Sequence, residues 1–259
     1  MIGVFIFVIG LVFGSFANVV IYRLPKGKSI VRPRSQCPSC GKNILWYDNI
    51  PLLSFLLLKG KCRFCKAKIS YRYFVVELIT GLLFLGLYLK FGITIQLLIY
   101  IFFTLCLLIM GFIDIDTYLI SDVIVLPGIV IGFLCAIFFP QMHYGITRIG
   151  SIWYSFTGIL VGSGILIFLA MVGRLLFKKE AMGGGDIKLL AMIGAFLGWK
   201  CVFITIFFAS LLGTIISLTL IGLKKKKIED YVPFGPYLGL GAIISVFYKG
   251  LLFLGFFIN

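Results

Sequence analysis

The chain has 259 residues, of which 61% are hydrophobic and 16% aromatic, a composition that excludes an ordinary soluble domain. Its formal net charge is +15, yet nothing interleaves the basic residues with a nucleic-acid-binding fold, so the charge does not point to nucleic acid as a partner. Apolar runs of bilayer length recur from end to end, as in an integral membrane protein surrounded by lipid.

Eight runs read as spans, at about 2–22, 73–90, 93–113, 120–139, 150–177, 187–199, 201–223 and 235–257. The sequence therefore predicts an all-α polytopic membrane protein of about eight transmembrane helices. The sixth run is short and rich in small residues, as expected of a tilted or re-entrant segment. With the N-terminus outside, segments 23–72, 114–119, 178–188 and 224–234 fall inside. Counting Arg174 and Lys188 as flanking residues, they hold 20 of the 24 Lys and Arg. The exceptions are Lys90, Arg148, Lys200 and Lys249. This positive-inside bias sets the orientation, with Lys224 to Lys227 anchoring a helix end.

Run 2–22 lacks a basic stretch before its apolar residues and contains Gly14, Ser15 and Asn18. It reads as a retained helix whose small and polar residues serve tight packing. Residues 23–72 form a soluble insertion, and 73–259 the remaining membrane core. The insertion carries Cys37-Pro38-Ser39-Cys40 and Cys62-Arg63-Phe64-Cys65, with 21 residues between the pairs. Two such knuckles supply four thiolates to a tetrahedral metal, of which zinc is the usual occupant. Lys42, Lys61, Arg63 and Lys66 favour the thiolate charge. A reducing inner face disfavours structural disulfides. Cys106, Cys135 and Cys201 read as apolar core residues.

Between the knuckles, Asp48 reads as one member of a surface ion pair. Leu52 to Leu58 is too short to span, and either packs under the ribbon or lies on the membrane surface. Glu77 is expected to pair with Arg72 or to snorkel; the alternative is a polar cavity shared with the aspartates described next. The single histidine, His143, reads as a residue of the outer loop 140–150.

Two carboxylate positions stand out. Asp114 and Asp116 end the third span, and Asp186 follows Gly183, Gly184 and Gly185 at the mouth of the sixth. Both sites lie at inner-side junctions, so Asp114 and Asp186 are expected at similar depth. Two carboxyls brought together share a proton while one activates water, a pairing that hydrolyses a peptide bond without a metal or a covalent nucleophile. Asp116 falls on roughly the opposite side of the helix, so only one of the pair faces Asp186. The glycines let a substrate strand approach; the plainer reading is a loop whose aspartate opens the next helix. Ser121 and Asp122 read as capping residues. Lys188 has Asp186 or lipid phosphate within reach.

The chain resembles the type IV prepilin peptidases, aspartic proteases of the bacterial inner membrane. The likeness rests on G-S-F-A-N-V-V-I-Y-R-L-P at 14–25, the paired knuckles, W-Y-D-N-I-P at 46–51, R-Y-F-V-V-E-L-I-T-G at 72–81, the aspartates at 114 and 116, G-G-G-D at 183–186 and P-F-G-P at 233–236. It implies leader removal from prepilins or pseudopilins at the cytoplasmic face, with Asp114 and Asp186 as the catalytic pair. The family's first aspartate stands seven residues before a proline, the register of Asp114, although Ser121 occupies the proline position here. The resemblance also implies N-methylation of the new N-terminus with S-adenosylmethionine, for which no residue stands out. Two other classes fit the composition: a proton- or ion-coupled transporter, and a noncatalytic assembly factor docking through its zinc ribbon. Acids clustered at one face, without an internal repeat, count against the transporter.

Overall fold

A computed structural model of the chain describes residues 1–143, 147–177, 183–224 and 232–255. Every one of the eight apolar runs forms a helix, and no strand occurs among the described residues. Among the described residues, five helices are long and apolar enough to cross a membrane; Asp122–Phe138 and Gly235–Tyr248 are shorter apolar helices. Lys178, Lys179, Lys225 to Lys227 and residues 144–146 of the outer loop lie outside the described residues. The chain divides into two compact units, Met1–Leu97 and Leu98–Asn259.

In the first unit, α1 (Ile2–Arg23) packs along α3 (Tyr71–Phe91). Small residues make the approach possible. A Cβ on Gly14 would stand 2.7 Å from the Glu77 Cα, and one on Gly10 2.8 Å from the Gly81 Cα. Gly10 and Gly14 form the G-x-x-x-G spacing that brings membrane helices together. Asn18 adds a polar tie, its Nδ2 donating to the Tyr73 carbonyl at 3.0 Å. The small and polar residues of the first span are thus packing residues.

The four-cysteine insertion links these helices. Its knuckles are built alike: Cys37 N–H donates to Lys42 O and Cys62 N–H to Ala67 O, each beside an isolated bridge, Gln36 with Asn43 and Lys61 with Lys68. Asp48 takes two hydrogen bonds from Arg63, at 2.7 and 2.6 Å, which hold its carboxyl below the usual range. The Leu52 to Leu58 segment contains one short helix, α2 (Leu53–Leu57). Phe55 packs on Tyr71 and Phe74 of α3, with ring centroids 5.5 Å apart in each case.

Glu77 is a correction. Its Oε2 accepts a hydrogen bond from the Leu52 N–H at 2.9 Å, and the residue is buried. A carboxyl so buried does not snorkel to the surface. A buried carboxylate needs donors, and the loop before α2 brings one within reach.

In the second unit, α4 (Ile95–Thr117), α5 (Asp122–Phe138), α6 (Arg148–Phe177), α7 (Gly184–Leu197), α8 (Trp199–Gly222) and α9 (Gly235–Gly255) surround one central element. That element is α7, whose residues Leu189 to Leu197 are all buried. Its 14 residues extend only about 21 Å at the α-helical rise. Close approach is again bought with glycine: Gly194 and Gly158 meet backbone to backbone, so that no Cβ fits at either. His143 lies in the loop as expected, in the turn Pro140–His143, but is not exposed there. It is fully buried, 3.1 Å through Nδ1 from Ser151 Oγ and edge-on to Tyr154. The turn Pro140–His143 sets the ring against α6, where the Ser151 hydroxyl partners Nδ1.

Candidate active site and four-cysteine centre

Three helix ends build the carboxylate site. The last turn of α4 carries Asp114, behind the buried residues Ile109, Met110 and Ile113. Its helix closes on Tyr118, whose N–H donates to the Asp114 carbonyl at 2.9 Å. The first turn of α7 carries Asp186, and its N–H donates to Gly183 O at 3.2 Å. Both side chains belong to residues only 4% exposed. They lie within electrostatic reach of one another. Asp116, two residues on, is exposed.

The third end is that of α9. Gly235 opens it and donates its N–H to Asp114 Oδ2 at 2.9 Å. A Cβ at Gly235 would stand 2.7 Å from that oxygen. Pro236 packs next to Gly111 of α4, where even a Cβ would find 3.5 Å of clearance. Both carboxyls therefore stand at positive helix ends, Asp186 on α7 and Asp114 on α9. Asp186 Oδ1 is buried with no hydrogen-bond partner among the described residues.

The loop before α5 grips both sides of Asp186. Ile120 packs where a Gly185 side chain would be, 2.7 Å from its ideal Cβ. Lys188 Nζ donates to both oxygens of Asp122 at 2.8 Å. Lys188 thus pairs with Asp122 rather than with Asp186. Asp122 begins α5, and Ser121 occupies the cap position without a side-chain hydrogen bond, so an ion pair replaces the expected caps. Gly184 has open space where a side chain would be, in keeping with room for an extended segment. The sequence reading missed Gly235 as a partner of Asp114. Its signal was present in P-F-G-P, where proline beside glycine marks a helix start whose first amides are unpaired.

In the first unit, the sulfurs of Cys37, Cys40, Cys62 and Cys65 all lie within 4.8 Å of one another. Cys37 Sγ is 3.8 Å from Cys65 Sγ. Zinc–sulfur bonds of about 2.3 Å at tetrahedral angles place sulfurs about 3.8 Å apart, so the four thiols suit such a metal. Burial works to raise the Cys37 thiol, but backbone groups of Cys40 and Ser39 and the neighbouring thiols bring it down to about 6. The cluster is thus prepared to offer a thiolate.

Two family models match the chain: the Bacterial Peptidase A24 N-terminal domain over residues 8–91 and the Type IV leader peptidase family over residues 101–218. Among curated proteins, the prepilin leader peptidase/N-methyltransferase of Pseudomonas aeruginosa is 37% identical, covering 92% of this chain and 87% of that protein. The protein of that name from Klebsiella pneumoniae is 41% identical over 80% of this chain and 90% of its own length. That of Myxococcus xanthus is 42% identical over 84% of this chain, which spans 63% of the Myxococcus protein. No solved structure matches the chain. These relationships define a membrane-embedded leader peptidase class. The chain belongs to the prepilin leader peptidase/N-methyltransferase family.

Proposed function

We propose that the protein is an aspartic endopeptidase that removes the leader from type IV prepilins or pseudopilins, with Asp114 and Asp186 as its catalytic pair. The observation that carries this reading is the pairing itself: two buried carboxyls from separate helix ends, one fixed by the Gly235 amide and the other with an unsatisfied oxygen. One carboxylate removes a proton from water as the water oxygen attacks the scissile carbonyl. The protonated partner supplies a proton to the departing amine. The pair titrates as a unit, so the two roles belong to the dyad rather than to fixed residues. Gly183 to Gly185 give the extended substrate backbone access to Asp186.

The same protein N-methylates the new N-terminus, an activity in the names of its relatives. S-adenosylmethionine supplies the methyl group. The described residues include no strand, so the strand, glycine loop and helix cradle of dinucleotide-type cofactors is not among them, and no residue is assigned to the donor. Cys37, Cys40, Cys62 and Cys65 would hold zinc, which supplies a structural cross-link between the knuckles. We place the insertion and the dyad at the cytoplasmic face of the inner membrane, following the distribution of Lys and Arg.

The test is incubation of purified protein with candidate prepilins, with the product N-terminus read by mass spectrometry. Cleavage after the leader, followed by gain of one methyl when S-adenosylmethionine is added, is the expected result. Intact prepilin after incubation with well-folded protein would overturn the reading in favour of a noncatalytic factor.

A further inference from the structure

The four-cysteine insertion carries an apolar surface at a definite depth. Leu52 donates its N–H to Glu77, the seventh residue of α3, about 9 Å along the helix from its start. Phe55 packs on Tyr71 and Phe74, in the first turn of the same helix. That helix is long and apolar enough to cross the membrane from Tyr71 onward. α2 therefore lies against the first two turns of a helix apolar enough to span, rather than standing clear of it.

The opposite side of α2 is apolar and open. Leu53, Leu56 and Leu57 are 58%, 60% and 82% exposed. Their spacing places them on one face of the helix. Beside them is a cavity of about 310 Å³ lined by Leu57, Leu58, Lys59, Lys61, Cys62 and Lys66, an apolar wall facing three ammonium groups. Segment 23–72 holds 12 Lys and Arg against one acid, Asp48. Asp48 is already paired with Arg63. The lysines at the cavity therefore have no acidic side chain of their own segment left to neutralise them.

We propose that α2 is an interfacial anchor. Leu53, Leu56 and Leu57 enter the boundary between headgroups and acyl chains, and Lys59, Lys61 and Lys66 bind the phosphates of anionic phospholipid. Apolar faces flanked by lysine settle about 5–10 Å into that boundary, held jointly by apolar area and by attraction to anionic lipid. The depth fixed by Glu77 supplies the location, and the charge imbalance selects the lipid. The four-cysteine centre consequently rests on the membrane surface.

The experiment uses the full chain in nanodiscs of either phosphatidylglycerol or phosphatidylcholine. Leu57→Trp is introduced together with Trp46→Phe, Trp153→Phe and Trp199→Phe, and its emission is followed with lipids brominated near the headgroup end of the chain. A parallel Ser39→Trp chain reports a position on the first knuckle. The expected result is quenching at 57 but not at 39, stronger in phosphatidylglycerol and lost to the phosphatidylcholine level when Lys59, Lys61 and Lys66 are changed to Gln. Wild-type hydrogen exchange supplies a second measurement independent of the tryptophan changes: amides over 53–61 should exchange more slowly in phosphatidylglycerol. Free access of an aqueous quencher to position 57 in both lipids, with no change in exchange, would overturn the anchor. Protection from the aqueous quencher without quenching by brominated lipid would overturn it in favour of a protein partner or a second copy. Equal quenching in both lipids, unchanged by the Lys→Gln changes, would overturn the phosphate assignment.

Discussion

Gly235 holds Asp114 from 121 residues away: its backbone N–H meets Oδ2 at 2.9 Å, at the point where α9 begins. Because a Cβ there would stand 2.7 Å from the same oxygen, Gly235→Ala must turn the carboxyl aside. A displacement of that order costs about 10²-fold in rate. We expect the loss in kcat on prepilin, with KM little changed and the helices intact by circular dichroism.

Asp114→Asn and Asp186→Asn are each expected to abolish leader cleavage, because an amide neither shares the proton nor takes one from water. Asp116→Asn should retain most activity, since Asp116 is exposed. Gel-shift assay of prepilin processing distinguishes them. An inactive Asp116→Asn beside an active Asp114→Asn would shift the site by two residues.

The Asp122–Lys188 pair is exposed on both sides, with side chains 51% and 43% accessible. Such pairs contribute about 0.2–1 kcal/mol after solvent screening. Asp122→Asn should therefore leave the chain folded and reduce cleavage only modestly. Restoration of the lost fraction by the exchange Asp122→Lys with Lys188→Asp, measured at low salt, would show that the pair steadies the first turn of α7.

Metal content should be one zinc per chain, lost in Cys37→Ser with Cys40→Ser. The pH behaviour has a definite sign. The Cys37 thiol is lowered from 9.0 to about 6, so between those values it is already a thiolate in the folded protein. Its contribution is present at high pH and disappears as pH falls through about 6. Zinc uptake by the chelated protein should draw a proton from Cys37 only as the pH falls through about 6, a rise in proton release measurable by titration calorimetry in buffers of different ionisation enthalpy.

The two knuckles differ at one equivalent position. Gly41 follows the first pair with φ 69°, and Lys66 follows the second with φ 57°. A side chain in the left-handed region costs about 1–2 kcal/mol. Lys66→Gly should therefore stabilise the second knuckle, seen as slower zinc loss to a chelator, whereas Gly41→Ala should accelerate it.

The helices of the eight apolar runs were legible because hydropathy dominates each run despite an occasional charge such as Glu77 or Lys188, and the knuckles because thiol spacing is local. Asp114 and Asp186 stood out because carboxyls at span ends are rare. What escaped depended on partners distant in sequence. His143 looked like a loop residue because Ser151 and Tyr154, which enclose it, carry no signal of their own. Glu77, expected to pair with Arg72, to snorkel or to share a polar cavity with the aspartates, accepts the Leu52 amide, 25 residues away. Backbone donors are invisible in a sequence, since every residue but proline has one.

That same invisibility determines which positions tolerate change. Glu77 is gripped at Leu52 through the main chain alone, so the identity of the side chain at 52 is free to drift while the grip persists. Leu52 has φ 59°, which Asn or Gly adopts more readily than Leu. Proline is the one replacement that both removes the donor and refuses the angle. What position 52 must supply is an N–H at a fixed place and a backbone that accepts φ 59°, and Gly or Asn meets both.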